Sequence, residues 1–334
     1  MVDTRDLKSL GPQRPCGFKS HPGHNMGPGL ILPAHPRSRI APTPSGLLHI
    51  GNAASFVLTE RLVRQAEGTL LLRIDDLDAD RVRPAYITDI FDTLAWLGIV
   101  PDQGPVDAST LAHQWSQRCR VHLYDAALDR LRALGLVYGC NCSRRQVMDR
   151  SEDGLYPGTC RDKGLELDAP DTAWRLRLPE ACSVHVSGPG GDVPVDLSRD
   201  MGDPVVRTRR GVAAYQIASL VDDVTFGIDL IVRGEDLLRS TALQLHLAAV
   251  LGEEDFRKAT FIHHPLLTDA VGNKLSKSQG AGSLKEMRKN GADREIVLRL
   301  ADDLLAATLS HKAGPRTFDP GSPIPPSGAG SSHR

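Results

Sequence analysis

Three short stretches carry side chains whose types and spacing suit chemistry. PSGLLHIGN, residues 44–52, sets His49 between Gly46 and Gly51 just ahead of a helix start. Unpaired N–H groups at a helix amino terminus make a natural anion site. TDAVGNKLSKSQG, residues 268–280, places Lys274, Ser276, Lys277 and Ser278 between Gly272 and Gly280. Alone, a lysine-rich loop between glycines is by default a solvated linker, and a histidine in a turn is by default structural. The occurrence of both in one chain favours an anion site. The third stretch holds Cys140, Cys142 and Cys160. By spacing these are either ligands of one metal ion or three buried free thiols. A tetrahedral structural site takes four ligands, and residues 140–160 contain no histidine. Cys16, Cys119 and Cys182 have no evident partners.

The elements that must position these groups follow an α/β pattern. RIAPTPSG, from Arg39, ends a short strand. Ala54, Leu58, Leu62 and Ala66 recur every four residues beside Val57, the mark of a helix over 53–66 with one apolar face, and Gly68 stops it. TLLLRI, residues 69–74, is the continuous apolar run of a strand buried in a parallel sheet, with DDLDAD at its carboxyl end. Helices are predicted through Ile87, Ile90, Phe91, Leu94 and Leu97, and through Tyr124, Leu128, Leu131 and Leu134. From Leu136 the pattern changes to short strands such as AWRLRL (173–178), broken by the glycine-rich SGPGGD (187–192). Helix and strand then alternate again in AAYQIASLVDD (213–223), DLIVRG (229–234), LLRSTALQLHLAAVLG (237–252) and TFIHHP (260–265). After Gly291, one more helix is predicted over 293–307. This is a doubly wound, Rossmann-like α/β unit with a parallel sheet, divided by an insertion. The expected divisions are an extension over 1–38, the first half of the unit over 39–135, an inserted subdomain over 136–204, the second half over 205–307, and a tail over 308–334. No internal repeats are visible.

Composition sets limits without choosing a partner. The 334 residues are enough for more than one packed unit. With 40 basic and 41 acidic residues the net charge is −1, so a polyanion would have to be held by local basic patches. No apolar run approaches the length of a membrane span. Residues 1–38 are rich in proline and glycine, lack the features of a secretory signal, and contain Met26 as an alternative start. That extension and the tail from Gly314 are expected to be disordered. The few clustered cysteines point to a reducing compartment, hence the cytoplasm.

HIGN together with KLSKS resembles the two signatures of the class I aminoacyl-tRNA synthetases, whose Rossmann domain binds ATP between them. The resemblance implies that Gly46, His49, Gly51, Asn52, Lys274 and Lys277 bind ATP. His49 would steady the displacement at the α-phosphate, and Lys277 would neutralise charge on the departing pyrophosphate. RIAPTPSGLLHIG, RIDDLD, AYQIASLVDD, DLIVRGEDL and KLSKS, in that order, resemble the glutamyl branch. Its amino-acid pocket would fall on Arg39, Ala41, Thr43, Asp75, Tyr215 and Arg233. Two arginines suit a side-chain carboxylate and an acidic group suits an ammonium, although each arginine alone reads equally as part of a surface ion pair. The family usually has Arg-Ile-Glu-Asp where this chain has Arg73-Ile74-Asp75-Asp76, and the shorter aspartate implies a contact through water or a shifted backbone.

C-x-C followed by Tyr156 and Cys160 resembles the zinc site of a short paralogue in that branch, which implies one structural Zn²⁺ held by Cys140, Cys142, Tyr156 and Cys160. Little sequence follows KLSKS, so no helical anticodon-reading domain is expected. The resemblance therefore narrows to the truncated paralogues that activate L-glutamate with ATP, and Mg²⁺, and attach it to queuosine at the wobble position of tRNA(Asp). The expected oligomeric state is a monomer. Arg144, Arg145, Arg207, Arg209 and Arg210 are candidate RNA phosphate contacts, or else a solvated charged face. The rival readings are a minimal glutamyl-tRNA synthetase charging a tRNA 3′ end, and a noncatalytic tRNA-binding paralogue.

Overall fold

The computed structural model describes residues 30–151, 154–189, 191–268 and 283–310, and the backbone of 316–317. The chain begins with β1 (Arg37–Ile40), passes through α1 (Ile50–Gln65) and returns parallel to β1 as β2 (Thr69–Leu72). α2 (Pro84–Leu97) and α3 (Val121–Ala133) follow. The middle of the chain supplies β3 (Val137–Cys140), β4 (Ala173–Leu176), β5 (Ser183–Gly188), β6 (Gly191–Asp196) and β7 (Val205–Arg207). Then come α4 (Tyr215–Thr225), β8 (Leu230–Gly234), α5 (Leu238–Leu251), β9 (Thr260–His264) and the two-residue β10 (Leu267–Thr268). α6 (Leu284–Lys289), α7 (Glu295–Leu309) and β11 (Arg316–Thr317) complete the described elements.

Four strands form one parallel sheet in the order β2-β1-β8-β9. Strand order therefore reverses between β1 and β8, and a doubly wound sheet opens a ligand crevice at the carboxyl ends of its strands at that point. All four strands are largely buried, β2 and β8 with mainly apolar residues, whereas β1 carries buried Ser38 and Arg39 and β9 ends in two histidines. The turn into β2 depends on Gly68, because a Cβ there would lie 2.1 Å from the Pro36 carbonyl oxygen. One apolar core packs α1, α2 and α7 against β1, β2 and β8, and a second lies under α3, α4 and α5.

The middle segment forms a three-stranded antiparallel sheet, β3-β4-β7, and a separate β5–β6 hairpin. Its Trp174, Leu176 and Val186 join the second core, so the insertion is packed onto the parallel unit. Among the described residues no helix is long and apolar enough to cross a membrane.

Four expectations about boundaries and elements change. The extension does not run to residue 38, because β1 starts at Arg37 and Leu30 and Leu32 pack against the first core. The insertion does not end at residue 204, because β7 pairs antiparallel with β4 through Arg207. SGPGGD does not merely interrupt strands, since its Ser187 and Gly188 pair with Asp192 and Gly191 between β5 and β6. The tail expected from residue 308 is not wholly irregular, because α7 continues to Leu309 and β11 pairs in parallel with β10. Helix α6 was not anticipated, although Ser283 and Glu286 form the capping box that starts it.

Candidate active site

A cavity of about 240 Å³ opens at the carboxyl ends of β1, β8 and β9, beside the amino terminus of α1. Arg39, Ala41, His49, Gly51, Asn52, Tyr215 and Arg233 all line it. His49 is the residue that caps α1, and its backbone N–H donates to Asn52 Oδ1 at 3.2 Å. A Cβ on Gly51 would come within 3.1 Å of the His49 ring, so glycine leaves the imidazole its room. His264, also in the lining, pairs Nδ1 with the Pro265 carbonyl at 2.9 Å and Nε2 with Ser55 Oγ at 3.0 Å. The carbonyl can only accept, so Nδ1 carries a proton, and burial lowers the pKa of the ring.

Arg233 is the lining side chain with donors to spare. It is 4 % exposed, and Nη1 donates to Gln244 Oε1 at 2.9 Å, while Nε and Nη2 make no hydrogen bond among the described residues. Burial lowers its pKa to about 10; the Tyr215 phenol alongside opposes that shift and Arg39 adds to it. It remains a cation at neutral pH. A buried guanidinium with two unused donors facing a cavity is suited to an anionic group, above all a carboxylate.

Beneath the cavity lies a buried charge network. Asp223 Oδ1 accepts from Arg39 Nε at 2.9 Å and from Arg73 Nη1 at 2.5 Å. Arg73 Nε donates to Asp75 Oδ1 at 2.7 Å, and Nη2 to Ser219 Oγ at 3.2 Å. Asp222 accepts two bonds from Arg120, at 2.7 and 3.0 Å, and others from Tyr124 and Gln117. Burial opposes ionisation of Asp223, but Arg39 and Arg73 hold its pKa below the ordinary carboxylate value. For Asp75 burial wins over Arg73 and the pKa rises.

Asp75 and Thr43 do not line the cavity; Asp75 is turned to Arg73, with Gln117 Nε2 at 3.4 Å. Gly46 also lies outside the lining. Lys274 and Lys277 lie outside the described residues. Asp222, Gln117, His264 and Gln244 went unread in the sequence. Only the adjacency of Asp222 to Asp223 at the end of α4 carried any local signal.

The three cysteines do come together. Cys140 and Cys142 stand at and just beyond the end of β3, and their Sγ atoms lie within 4.8 Å of each other and of Cys160 Sγ. Cys142 and Cys160 Sγ are 3.5 Å apart, and Tyr156 Oη is 3.4 Å from Cys140 Sγ. A tetrahedral ion with bonds of about 2.3 Å to sulfur and about 2.0 Å to oxygen spaces its ligand atoms by roughly 3.5–3.8 Å. The donor set fits a metal ion. Burial opposes the Cys160 thiolate, yet hydrogen bonds from Tyr156, Asn141 and Cys142 bring its pKa down to about 7. The other side of that sharing lifts Cys142, by burial and its bond to Cys160, to about 11. Tyr156 Oη also accepts the Cys160 N–H at 2.7 Å, and the Arg175 guanidinium sits 3.5 Å over its ring. Cys119 is exposed, and Cys182 is buried with its Sγ 3.6 Å from His246 Nδ1.

The candidate RNA arginines differ in how far they are already engaged. Arg210 pairs with Asp78 at 2.7 Å and with Asp80, the acidic run that follows β2. Arg207 lies 4.8 Å over the Trp174 ring and bonds the Gly211 carbonyl. Arg209 bonds the Asn141 carbonyl and forms no salt bridge among the described residues. Arg144 and Arg145 are exposed, with Asp149 at 3.8 Å from Arg145.

The family model for tRNA synthetases class I (E and Q), catalytic domain, matches residues 36–304. A Glutamyl-Q tRNA(Asp) synthetase of Burkholderia cenocepacia is 40% identical over 270 residues, covering 78% of this chain and 84% of that protein. Proteins of the same name are 37% identical in Nitratidesulfovibrio vulgaris, over 76% of this chain and 82% of that one, and 37% identical in Ralstonia nicotianae, over 82% and 87%. A crystal structure of glutamate-tRNA synthetase from Elizabethkingia anophelis superposes with a TM-score of 0.62 at 24% identity. That match covers 76% of this chain but 54% of the solved one, so this chain spans about half its length, and it speaks to the fold alone. With the catalytic-domain model spanning the parallel unit and its insertion, and relatives this similar over most of their length, the chain belongs to the class I tRNA synthetases of the E and Q group, a family of ligases, alongside the Glutamyl-Q tRNA(Asp) synthetases.

Proposed function

We propose that the chain activates L-glutamate with ATP, without tRNA, and transfers the glutamyl group to queuosine at the wobble position of tRNA(Asp) in the cytoplasm. The observation that carries this reading is Arg233, buried in the cavity wall with Nε and Nη2 unused, beside Arg39 and across from the His49 helix start. A ligand with one carboxylate for a guanidinium and another near a phosphate site fits that cavity; glutamate has both.

In the first step, a glutamate α-carboxylate oxygen attacks the ATP α-phosphorus. The bond to the β-phosphate bridging oxygen breaks, leaving glutamyl-adenylate and pyrophosphate. His49 and the N–H groups of the α1 amino terminus meet the phosphates, with Gly46, Gly51 and Asn52 shaping the turn and Lys274 and Lys277 supplying positive charge. Arg233, Arg39, Tyr215, Ala41 and Thr43 form the glutamate pocket. Asp75, paired with Arg73 and outside the cavity lining, would meet the ammonium through water or after a backbone shift. In the second step, a hydroxyl oxygen of the queuosine cyclopentenediol attacks the activated carbonyl. AMP departs and the hydroxyl proton leaves with solvent.

Mg²⁺ accompanies the ATP and would screen the phosphate charge. Zn²⁺ held by Cys140, Cys142, Cys160 and Tyr156 would brace the end of β3 against the loop that carries Cys160. ATP–pyrophosphate exchange tests the first step: exchange dependent on glutamate and independent of tRNA is expected. Its absence with zinc-replete protein would remove the enzymatic reading and favour the noncatalytic one.

A further inference from the structure

The residue before His49 is held from two directions. Leu48 N–H donates to Asp89 Oδ2 at 2.9 Å, and the Leu48 carbonyl accepts from Leu284 N–H at 3.0 Å. The other oxygen of Asp89 accepts from Arg288 Nη2 at 2.7 Å. Asp89 is on α2 and is 1 % exposed; Leu284 and Arg288 are on α6, which directly follows the KLSKS segment in sequence. One buried carboxylate therefore ties the turn that ends in His49 to the helix that resumes after KLSKS, and the Leu48 carbonyl makes a second tie to the same helix. Asp89 plays no part in the cavity lining and touches none of the candidate substrate residues' side chains. An apolar residue here would leave the Leu48 N–H and the Arg288 guanidinium without an acceptor. A buried charge that spends one oxygen on each of two separate segments suits a strut.

We propose that Asp89 is a positioning residue for the nucleotide: it fixes the His49 turn against α2 and α6, so that the amino terminus of α1 is held where it meets the phosphates. This rests on the proposed ATP chemistry of the cavity. In Asp89→Asn the amide oxygen can still accept from Leu48, but the amide N–H₂ then faces the Arg288 donors, and the strut is broken on one side. In the double variant Asp89→Asn/Arg288→Gln the amide N–H donates to the glutamine oxygen, and the strut is rebuilt without charge.

The test measures binding of a nonhydrolysable ATP analogue by calorimetry, together with KM for ATP and for glutamate in pyrophosphate exchange. Asp89→Asn is expected to weaken the analogue and raise KM for ATP about tenfold, with KM for glutamate unchanged within about twofold. The double variant is expected to recover most of the loss, which a merely structural role would not produce. Unchanged nucleotide binding in Asp89→Asn, equal losses for ATP and glutamate, or no recovery in the double variant overturns the proposal. Wild-type protein that binds the analogue but catalyses no exchange counts against the parent reading instead, and the analogue measurements still decide the role of Asp89.

Discussion

Arg39 and Arg73 donate to the same carboxylate oxygen, Asp223 Oδ1, at 2.9 and 2.5 Å, although one arginine is on β1 and the other follows β2. Two adjacent strands are thus clamped to the end of α4 by a single charge. Removing one partner from a buried ion pair strands the others, so Asp223→Asn should cost about 3–5 kcal/mol in urea unfolding. Asp75→Asn should cost less, because burial already disfavours the Asp75 charge. The pH dependence has a definite sign. The folded-state pKa of Asp223 is depressed, so its contribution is complete above the unfolded value near 3.9 and is lost as pH falls through the lower folded value. Below about pH 4 the wild type should lose an increment of stability that Asp223→Asn never had.

Arg233 offers a forked donor pair that Lys cannot reproduce. Arg233→Lys should raise KM for glutamate about 10–100-fold and leave KM for ATP within about threefold. Steady-state exchange kinetics read both. Equal effects on the two substrates would mean that Arg233 braces the cavity without meeting glutamate.

The cysteine cluster predicts one tightly held metal per chain, measurable by elemental emission. Chelation should lower the melting temperature, and zinc should restore it. Tyr156→Phe keeps the ring under Arg175 but removes the oxygen 3.4 Å from Cys140 Sγ, so it should retain metal with weaker affinity. Unaltered zinc affinity in that variant would leave the fourth position to another ligand.

The basic side chains should differ in their effect on RNA. Among the described residues Arg144 and Arg209 form no salt bridge, whereas Arg210 pairs with Asp78 and Asp80. Arg144→Glu and Arg209→Glu should each weaken tRNA(Asp) binding and change the log–log salt slope by about 1 or more, and Arg210→Ala should do little. Filter binding across a salt series separates these cases.

The contrast between what was legible and what was not has a physical origin. The strands and helices of the parallel unit follow hydrophobic period, so TLLLRI and the Leu58–Leu62 face could be read directly. The HIGN turn and the cysteine cluster became legible only with the second signature stretch and the family resemblance beside them, since each alone reads equally as structure. The β5–β6 hairpin was hidden because the glycine-rich SGPGGD reads as a break until the two strands are seen to pair. The Asp89–Arg288 bond spans 199 positions, and nothing local to either residue marks it. Arg233 was placed by the resemblance and not by its own residue type, and the withdrawal of Asp75 toward Arg73 was not legible, since it depends on which neighbouring groups meet a buried carboxylate.

The most direct test of the central claim is transfer of radiolabelled glutamate, with ATP, to tRNA(Asp) prepared with and without queuosine. Label is expected on the queuosine-bearing tRNA alone, retained in the anticodon fragment after nuclease digestion. Label on the 3′-terminal adenosine, or equal labelling of both preparations, would contradict it.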